Sequence, residues 1–457
     1  MAKPSKSVAV LDGLPDHILC HILSFLPTKE AARTSVLSPR WRYLFLSSIS
    51  ILDFKSCLTP PTKDNNSFLN FVDRFFSNPR LLNLELECFR VNDLWVNYDP
   101  SINEFLMPFD DDPWFAEARP WGGDYLLINR WICAALRGVK EVGISLINKD
   151  VLSLPNLLFT SHSLVTLKLK IRGANDVPTD ACLPNLRTLH FEFFEFLDGR
   201  SVLKLISTCP VLEDFAFVMC QFHEISELII HNLSLKRLVL DFGELYADSH
   251  RGFNAIKIDA PNLVYFKYVN GMAGGCTLSE TKTLERADIE MTVMDNGDGE
   301  RVTNLLRGVC NVRSLYLAIE DDSRTFFLAP LDPMFAFNNL VELEFRNRYN
   351  VDWQGSWIVE LLHCMPNLKT LILNLASTTE SFRSLPNTVP WCLLFQIKEI
   401  EIKHFAGEEH MFAMVSYFLK HATIIEKLII RDIGASTVIE KLSSLPKKSE
   451  KCEIVTR

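Results

Sequence analysis

The chain has 457 residues, 48% of them hydrophobic, and a formal net charge of −9: long enough for two or three domains or one repeat array, and too acidic for a partner held mainly through phosphates. Its 12 cysteines form no CxxC pair and no zinc-finger spacing with histidine, which argues against a disulfide scaffold and for reduced thiols in a cytoplasmic and/or nuclear protein. Residues 1–10 lack the apolar run of a signal peptide, and no stretch reaches the roughly 18 uncharged apolar residues of a membrane span, so neither nucleic acid nor membrane is an expected partner.

In chain order, the first predicted elements lie in LDGLPDHILCHILSFLPTKEAARTSVLSPRWRYL, residues 11–44. Ile18, Ile22 and Leu26 recur at helical spacing, as do Leu19 and Leu23, and Phe25 spreads the apolar surface over more than one face. Pro27 ends this helix, because proline cannot continue the hydrogen-bond ladder. Thr28 then reads as the N-cap of a second helix from about Lys29 to Leu37. Ser38-Pro39 reads as the N-cap and first residue of a third helix through Trp41 and Leu44. Three short helices in about 35 residues rarely fold unaided. The surplus apolar face therefore needs a cover, either the next domain or another protein.

Leu14-Pro15, Ile18, Leu19, Ile22, Leu23 and Leu26, then Val36-Leu37-Ser38 and Arg40-Trp41-Arg42, resemble an F-box over residues 8–50. The resemblance implies docking on the Skp-type adaptor of SCF ubiquitin ligases and, through it, on a cullin scaffold. Carried over position by position, it gives adaptor contact to Leu14, Pro15, Ile18 and Ile22. Leu23, Leu26, Val36 and Trp41 are then shared between that interface and the bundle's own core. The alternative is a helical cap on the following domain.

Residues 51–138 read as a linking region. Leu81-Leu84-Leu86 fits a first repeat within it. Residues 92–124 insert Trp95, Tyr98, Phe105, Phe109, Trp114, Phe115 and Trp121. Loops are typically polar, so this segment is either extra core or a set of aromatic anchors for a target.

From residue 139 a period appears, with apolar residues at positions 0, +3 and +5. Val139-Val142-Ile144, Leu164-Leu167-Leu169, Leu186-Leu189-Phe191, Leu212-Phe215-Phe217 and Leu235-Leu238-Leu240 fit it. Leu263-Phe266-Tyr268, Leu284-Ala287-Ile289, Val312-Leu315-Leu317, Leu340-Leu343-Phe345, Leu368-Leu371-Leu373, Ile397-Ile400-Ile402 and Ile425-Leu428-Ile430 continue it. The mean spacing is about 26 residues, within the range of leucine-rich repeats. The fold class expected is α/β. After the three-helix F-box comes a leucine-rich-repeat solenoid over 139–385, with a curved parallel sheet inside and helices such as Ser201–Thr208 and Trp357–Cys364 outside. Each repeat buries its apolar face only by stacking on its neighbours. Pro184-Asn185, Pro261-Asn262 and Pro366-Asn367 are turn residues feeding strands.

Val389-Pro390-Trp391-Cys392-Leu393-Leu394, Ile400-Glu401-Ile402-Lys403, Tyr417-Phe418-Leu419 and the ending Cys452-Glu453-Ile454-Val455 resemble the FBD domain of plant F-box/leucine-rich-repeat proteins, over 386–457. Read from the residues alone, this segment is the last two repeats plus a helix capping the array's open end. Glu408-Glu409-His410 opens a helix, with acids near its positive end.

The +4 and +6 side chains should face a target. Lys168, Lys170, His190, Glu192, Asp241, Asp288, Glu290, Tyr316, Glu344 and Arg346 are the candidate target-facing residues. From Glu192 to Glu290 this face leans acidic, which suits either a solvated surface or a basic segment. Related plant hormone receptors hold an inositol polyphosphate under clustered Lys and Arg; no such cluster is visible, and no cofactor or metal is expected. Asp295–Gly299 has the wrong ligand spacing for a calcium loop. No nucleophile, metalloprotease or phosphate-loop signature occurs. The expectation is a non-catalytic substrate receptor that holds an unknown protein target. The alternative is an adaptor-bound or free interaction module, a scaffold or small-molecule sensor, without a degradative role.

Overall fold

The computed structural model describes residues 13–55, 72–77, 86–95, 125–147, 154–243, 253–269, 275–279, 281–293, 298–321, 336–347, 355–374, 385–432 and 436–456. The aromatic-rich stretch 96–124 and the pair Leu81 and Leu84 lie outside them. The chain divides into two compact units, Met1–Ile225 and Ser226–Arg457.

The first unit opens with helices α1 (Asp16–Ser24), α2 (Thr28–Arg33) and α3 (Pro39–Ser48), with a tight 3-10 turn over Thr34–Val36. Ser38 caps α3 by accepting from the Trp41 amide, with Pro39 in the first turn, as expected. Thr28 departs from expectation. Pro27 occupies the cap position and Thr28 lies inside α2. Its hydroxyl instead accepts from the Asp53 amide at 2.8 Å and donates to the Ile51 carbonyl at 3.5 Å. Asp53 stands on an outermost strand, and Thr28 supplies an acceptor for its part-buried amide.

Six parallel strands follow in chain order: β1 (Ile51–Lys55), β2 (Cys88–Trp95), β3 (Glu141–Ile147), β4 (Thr166–Asn175), β5 (Thr188–Phe196) and β6 (Asp214–Val218). A short β7 (Gln221–Phe222) pairs with the end of β5. The register joins Leu52, Phe89, Val142, Leu167, Leu189 and Phe215 in one buried row. Two further triplets, Ile49-Leu52-Phe54 and Leu86-Phe89-Val91, join this row; Leu81-Leu84-Leu86 falls largely outside the described residues. Leu86 satisfies the spacing either as the end of one triplet or the start of the next. Phe89 and Val91 are buried, as the start of a triplet at Leu86 requires.

The second unit contains two parallel sheets. The larger runs β9 (Arg237–Asp241), β11 (Tyr265–Val269), β13 (Arg286–Val293), β14 (Ser314–Asp321), β15 (Glu342–Asn347), β16 (Thr370–Asn374), β17 (Glu399–Lys403), β18 (Lys427–Ile430) and β19 (Glu453–Thr456). Its buried row reads Leu238, Phe266, Ala287, Leu315, Leu343, Leu371, Ile400 and Leu428. The repeat register read from sequence therefore holds in each unit.

The smaller sheet joins β8 (Glu227–His231), β10 (Ala255–Asp259) and β12 (Cys276–Leu278) and was not expected. Two of its strands lie in short repeats, β8 between Leu212 and Leu235 (23 residues) and β12 between Leu263 and Leu284 (21), whereas Leu284 to Val312 spans 28 and carries the helix Asp298–Gly308. The third, β10, lies in a 28-residue repeat, Leu235 to Leu263, which length does not explain. An extended segment covers the return path in fewer residues than a helix does. The helices Gly355–His363 and Glu409–His421 occupy other long repeats, the latter opened by Glu408 and Glu409 as expected.

The C-terminus differs from the expected helical cap. The helix Ser436–Ser443 is followed by β19, which extends the sheet by pairing Leu428 with Ile454. Ser449 ties the return segment down by donating to the Ile425 carbonyl at 2.7 Å. Among the described residues, no helix is long and apolar enough to cross a membrane.

Candidate adaptor-binding and target-binding surfaces

The helical segment divides its apolar side chains in two. Leu19, Leu23, Ala31, Trp41, Leu44 and Phe45 are buried. Leu23 and Trp41, assigned from sequence to both core and interface, thus lie in the core. Phe25 and Val36 are 74% and 83% exposed, and Ile18, Leu26, Leu37 and Tyr43 are exposed as well. Leu14 and Ile22 are half-buried and Pro15 is exposed.

Arg40 fixes the corner at the start of α1. Its Nη2 donates to the Leu14 carbonyl at 2.5 Å and its Nε to Asp16 Oδ1 at 2.9 Å. Pro15 holds the extended cap conformation that opens α1. In the sequence Arg40 stands out only as part of Arg40-Trp41-Arg42; in the structure it holds Leu14 and Pro15 in place. Leu37 and Tyr43 enlarge the exposed face and were not singled out.

On the sheets, the sequence-selected polar residues fall into two groups. In the first unit, Lys170 pairs with Glu192 at 3.0 Å and His190 with Asp214 at 3.1 Å, while Lys168 is exposed. In the second, Asp241 is held by Lys267 at 2.9 Å. Asp288 accepts from the Tyr265 hydroxyl at 2.6 Å and from Arg286 at 2.9 Å. The Arg237 guanidinium lies 4.3 Å from the Tyr265 ring centre. Burial, then the hydrogen bond to Asp288, raises the Tyr265 hydroxyl pKa well above its ordinary value. Glu344 is bound by Lys403 at 2.6 Å, and Glu401 by Arg431. Glu290, Tyr316 and Arg346 are half-buried.

The acidic lean read from sequence is thus largely neutralised within the sheet. Arg237, Tyr265 and Arg286 stand at +2 of their repeats, outside the +4 and +6 positions that the sequence pattern singles out. Strand alternation also turns +2 to that face, so the signal was available. Among the described residues, no group of three or more His, Cys, Asp or Glu is gathered for a metal ion.

Comparison with known proteins gives two domain families. The F-box domain matches residues 11–52, and the family described as "At1g61320/AtMIF1, LRR domain" matches 122–457. The F-box/LRR-repeat protein At3g59210 of Arabidopsis thaliana is 32% identical over 79% of this chain and 72% of its own length. The putative F-box/FBD/LRR-repeat protein At3g59240 of the same plant is 30% identical over 92% of this chain and 83% of its own. The F-box/FBD/LRR-repeat protein At2g26030 is 26% identical over 97% of this chain and 98% of its own.

Proposed function

The chain belongs to the plant F-box/FBD/leucine-rich-repeat family, and from that premise we propose that it is the substrate-recognition subunit of an SCF-type E3 ubiquitin ligase. The F-box helices bind a Skp-type adaptor, which joins the chain to a cullin scaffold. The repeats hold a protein target, in the cytoplasm and/or nucleus. The contribution is positional. A target held beside the recruited ubiquitin-carrying enzyme presents its lysines at high effective concentration. No covalent step falls to this chain's own side chains.

The observation that carries this reading is the set of exposed apolar side chains Ile18, Phe25, Leu26, Val36, Leu37 and Tyr43 on a bundle whose core is already filled by Leu19, Leu23, Trp41 and Leu44. An apolar surface of that kind beside a closed core marks an interaction site. Leu14, Pro15 and Ile22 extend it at the α1 corner.

The test is co-purification with a Skp-type adaptor. The wild type binds, and Leu14→Ala with Pro15→Ala abolishes binding. Val36→Asp alters a side chain with almost no packing to lose, so it leaves the melting temperature unchanged. It lowers adaptor affinity at least about tenfold, or about 1.4 kcal/mol. Full binding by both variants would return the helices to the role of a cap.

A further inference from the structure

The outward face of the second unit's sheet is unevenly committed. On β9, β11 and β13 the polar side chains bind one another: Lys267 to Asp241, and Tyr265 and Arg286 to Asp288. Past the end of β18, Arg431 binds Glu401 of β17. Between these strips lies Arg346 on β15, half-buried, with no hydrogen-bond or ion-pair partner among the described residues. Tyr316 on β14, also half-buried, is its diagonal neighbour and makes no hydrogen bond among the described residues.

The geometry explains why Arg346 is uncommitted. Its row neighbours are Ala318 on one side and Asn374 on the other, neither of them charged. The carboxylate nearest along its own strand is Glu344, two residues back on the same face, about 7 Å away by strand geometry. Lys403 reaches across β16 from β17 and holds Glu344 at 2.6 Å. The guanidinium is left partly desolvated with no ion-pair partner among the described residues, which is unfavourable until an anion docks on it.

Its planar fork fits a carboxylate, and the adjacent Tyr316 ring offers apolar contact. Tyr and Arg are the side chains that most often dominate interface energies. Asp288, Glu290 and Glu344 flank the position, so a singly charged carboxylate suits it better than a doubly charged phosphate. We propose that Tyr316 and Arg346 anchor an acidic target segment, an extended stretch with Asp or Glu beside a bulky apolar residue, and that Lys403 is a positioning residue that keeps Glu344 off Arg346. The proposal rests on the reading that the repeats hold a protein target; it does not depend on adaptor binding.

Short random peptides displayed on phage and selected on the full-length chain provide the test, followed by affinity measurements on a synthetic consensus peptide. The enriched peptides share an acidic residue beside a large apolar one. Arg346→Glu and Tyr316→Ala each weaken the consensus peptide roughly tenfold or more, and Arg346→Lys weakens it less. Lys403→Ala, which touches no peptide, also weakens binding, and adding Glu344→Gln to it restores binding. The absence of any enrichment, a consensus without acid, unchanged affinity in Arg346→Glu, or tighter binding when phosphoserine replaces the acid would each overturn the proposal. Lost peptide binding with adaptor binding intact would discard this anchor alone and leave the receptor reading standing.

Discussion

Cys220 is fully buried, and its thiol donates to the carbonyls of Phe191 and Val218 at 3.4 and 3.5 Å. Burial pushes its pKa up to about 12, and does the same at Cys209 and Cys392. The thiolate is the reactive form, so near neutral pH these sulfurs are inert. Cys182, by contrast, is exposed. Iodoacetamide applied to the native chain at neutral pH should label Cys182 and spare Cys209, Cys220 and Cys392 until denaturant is added, read by peptide mass spectrometry. Native labelling of Cys220 would mean that the aromatic core around Phe191, Phe194 and Phe217 opens. Sequence established that these thiols belong to no zinc motif. It did not distinguish Cys182 from Cys209, because both sit beside prolines and leucines in loops of similar composition.

At the scale of the element, the 0, +3 and +5 positions were legible because burial imposes the same residue type on every repeat. Leu238 is fully buried and pairs in register with Phe266. Leu238→Ala should destabilise the chain by roughly 2–5 kcal/mol in denaturant unfolding; a change near zero would contradict its place in the stacked row. The Pro-Asn pairs were legible as turns, but their further role was not. Asn185, Asn262 and Asn367 each donate through Nδ2 at 2.8 Å to a carbonyl of the preceding repeat, at His162, Leu233 and Asn338. Thr283 makes the corresponding tie to Pro261 at 3.1 Å. These side chains link neighbouring repeats, so Asn262→Ala should cost about 0.5–1.5 kcal/mol in the same experiment, well below Leu238→Ala. The triplets at Ile49 and Leu86 and the smaller sheet escaped the sequence reading. A single leucine satisfied two overlapping triplets, and the pattern of anchors carries no information about the return segments.

At the scale of the whole molecule, the two sequence-level readings of the N-terminal helices, handle and cap, are compatible. Thr28 turns toward β1 and binds the Asp53 amide and the Ile51 carbonyl, while Val36 and Phe25 remain open on the helices' exposed surface. A receptor that works by position gains from such a joint. A loose connection spreads the target over many orientations and dilutes the effective concentration of its lysines. Thr28→Val preserves the shape of the side chain and deprives the part-buried Asp53 amide of its acceptor. It should lower stability by about 1–3 kcal/mol and weaken the seam between the helices and the sheet. Adaptor affinity should be unchanged, because Thr28 is buried away from the exposed apolar face. Ubiquitin transfer to a bound target, reconstituted with adaptor and cullin, should slow. If Thr28→Val melts like the wild type and transfers ubiquitin at the same rate, the helices act as a tethered handle and the seam contributes nothing to positioning. If stability falls and adaptor affinity falls with it, the two faces of the helical segment are energetically one, and the adaptor is recognised through the packed core as well as through its surface.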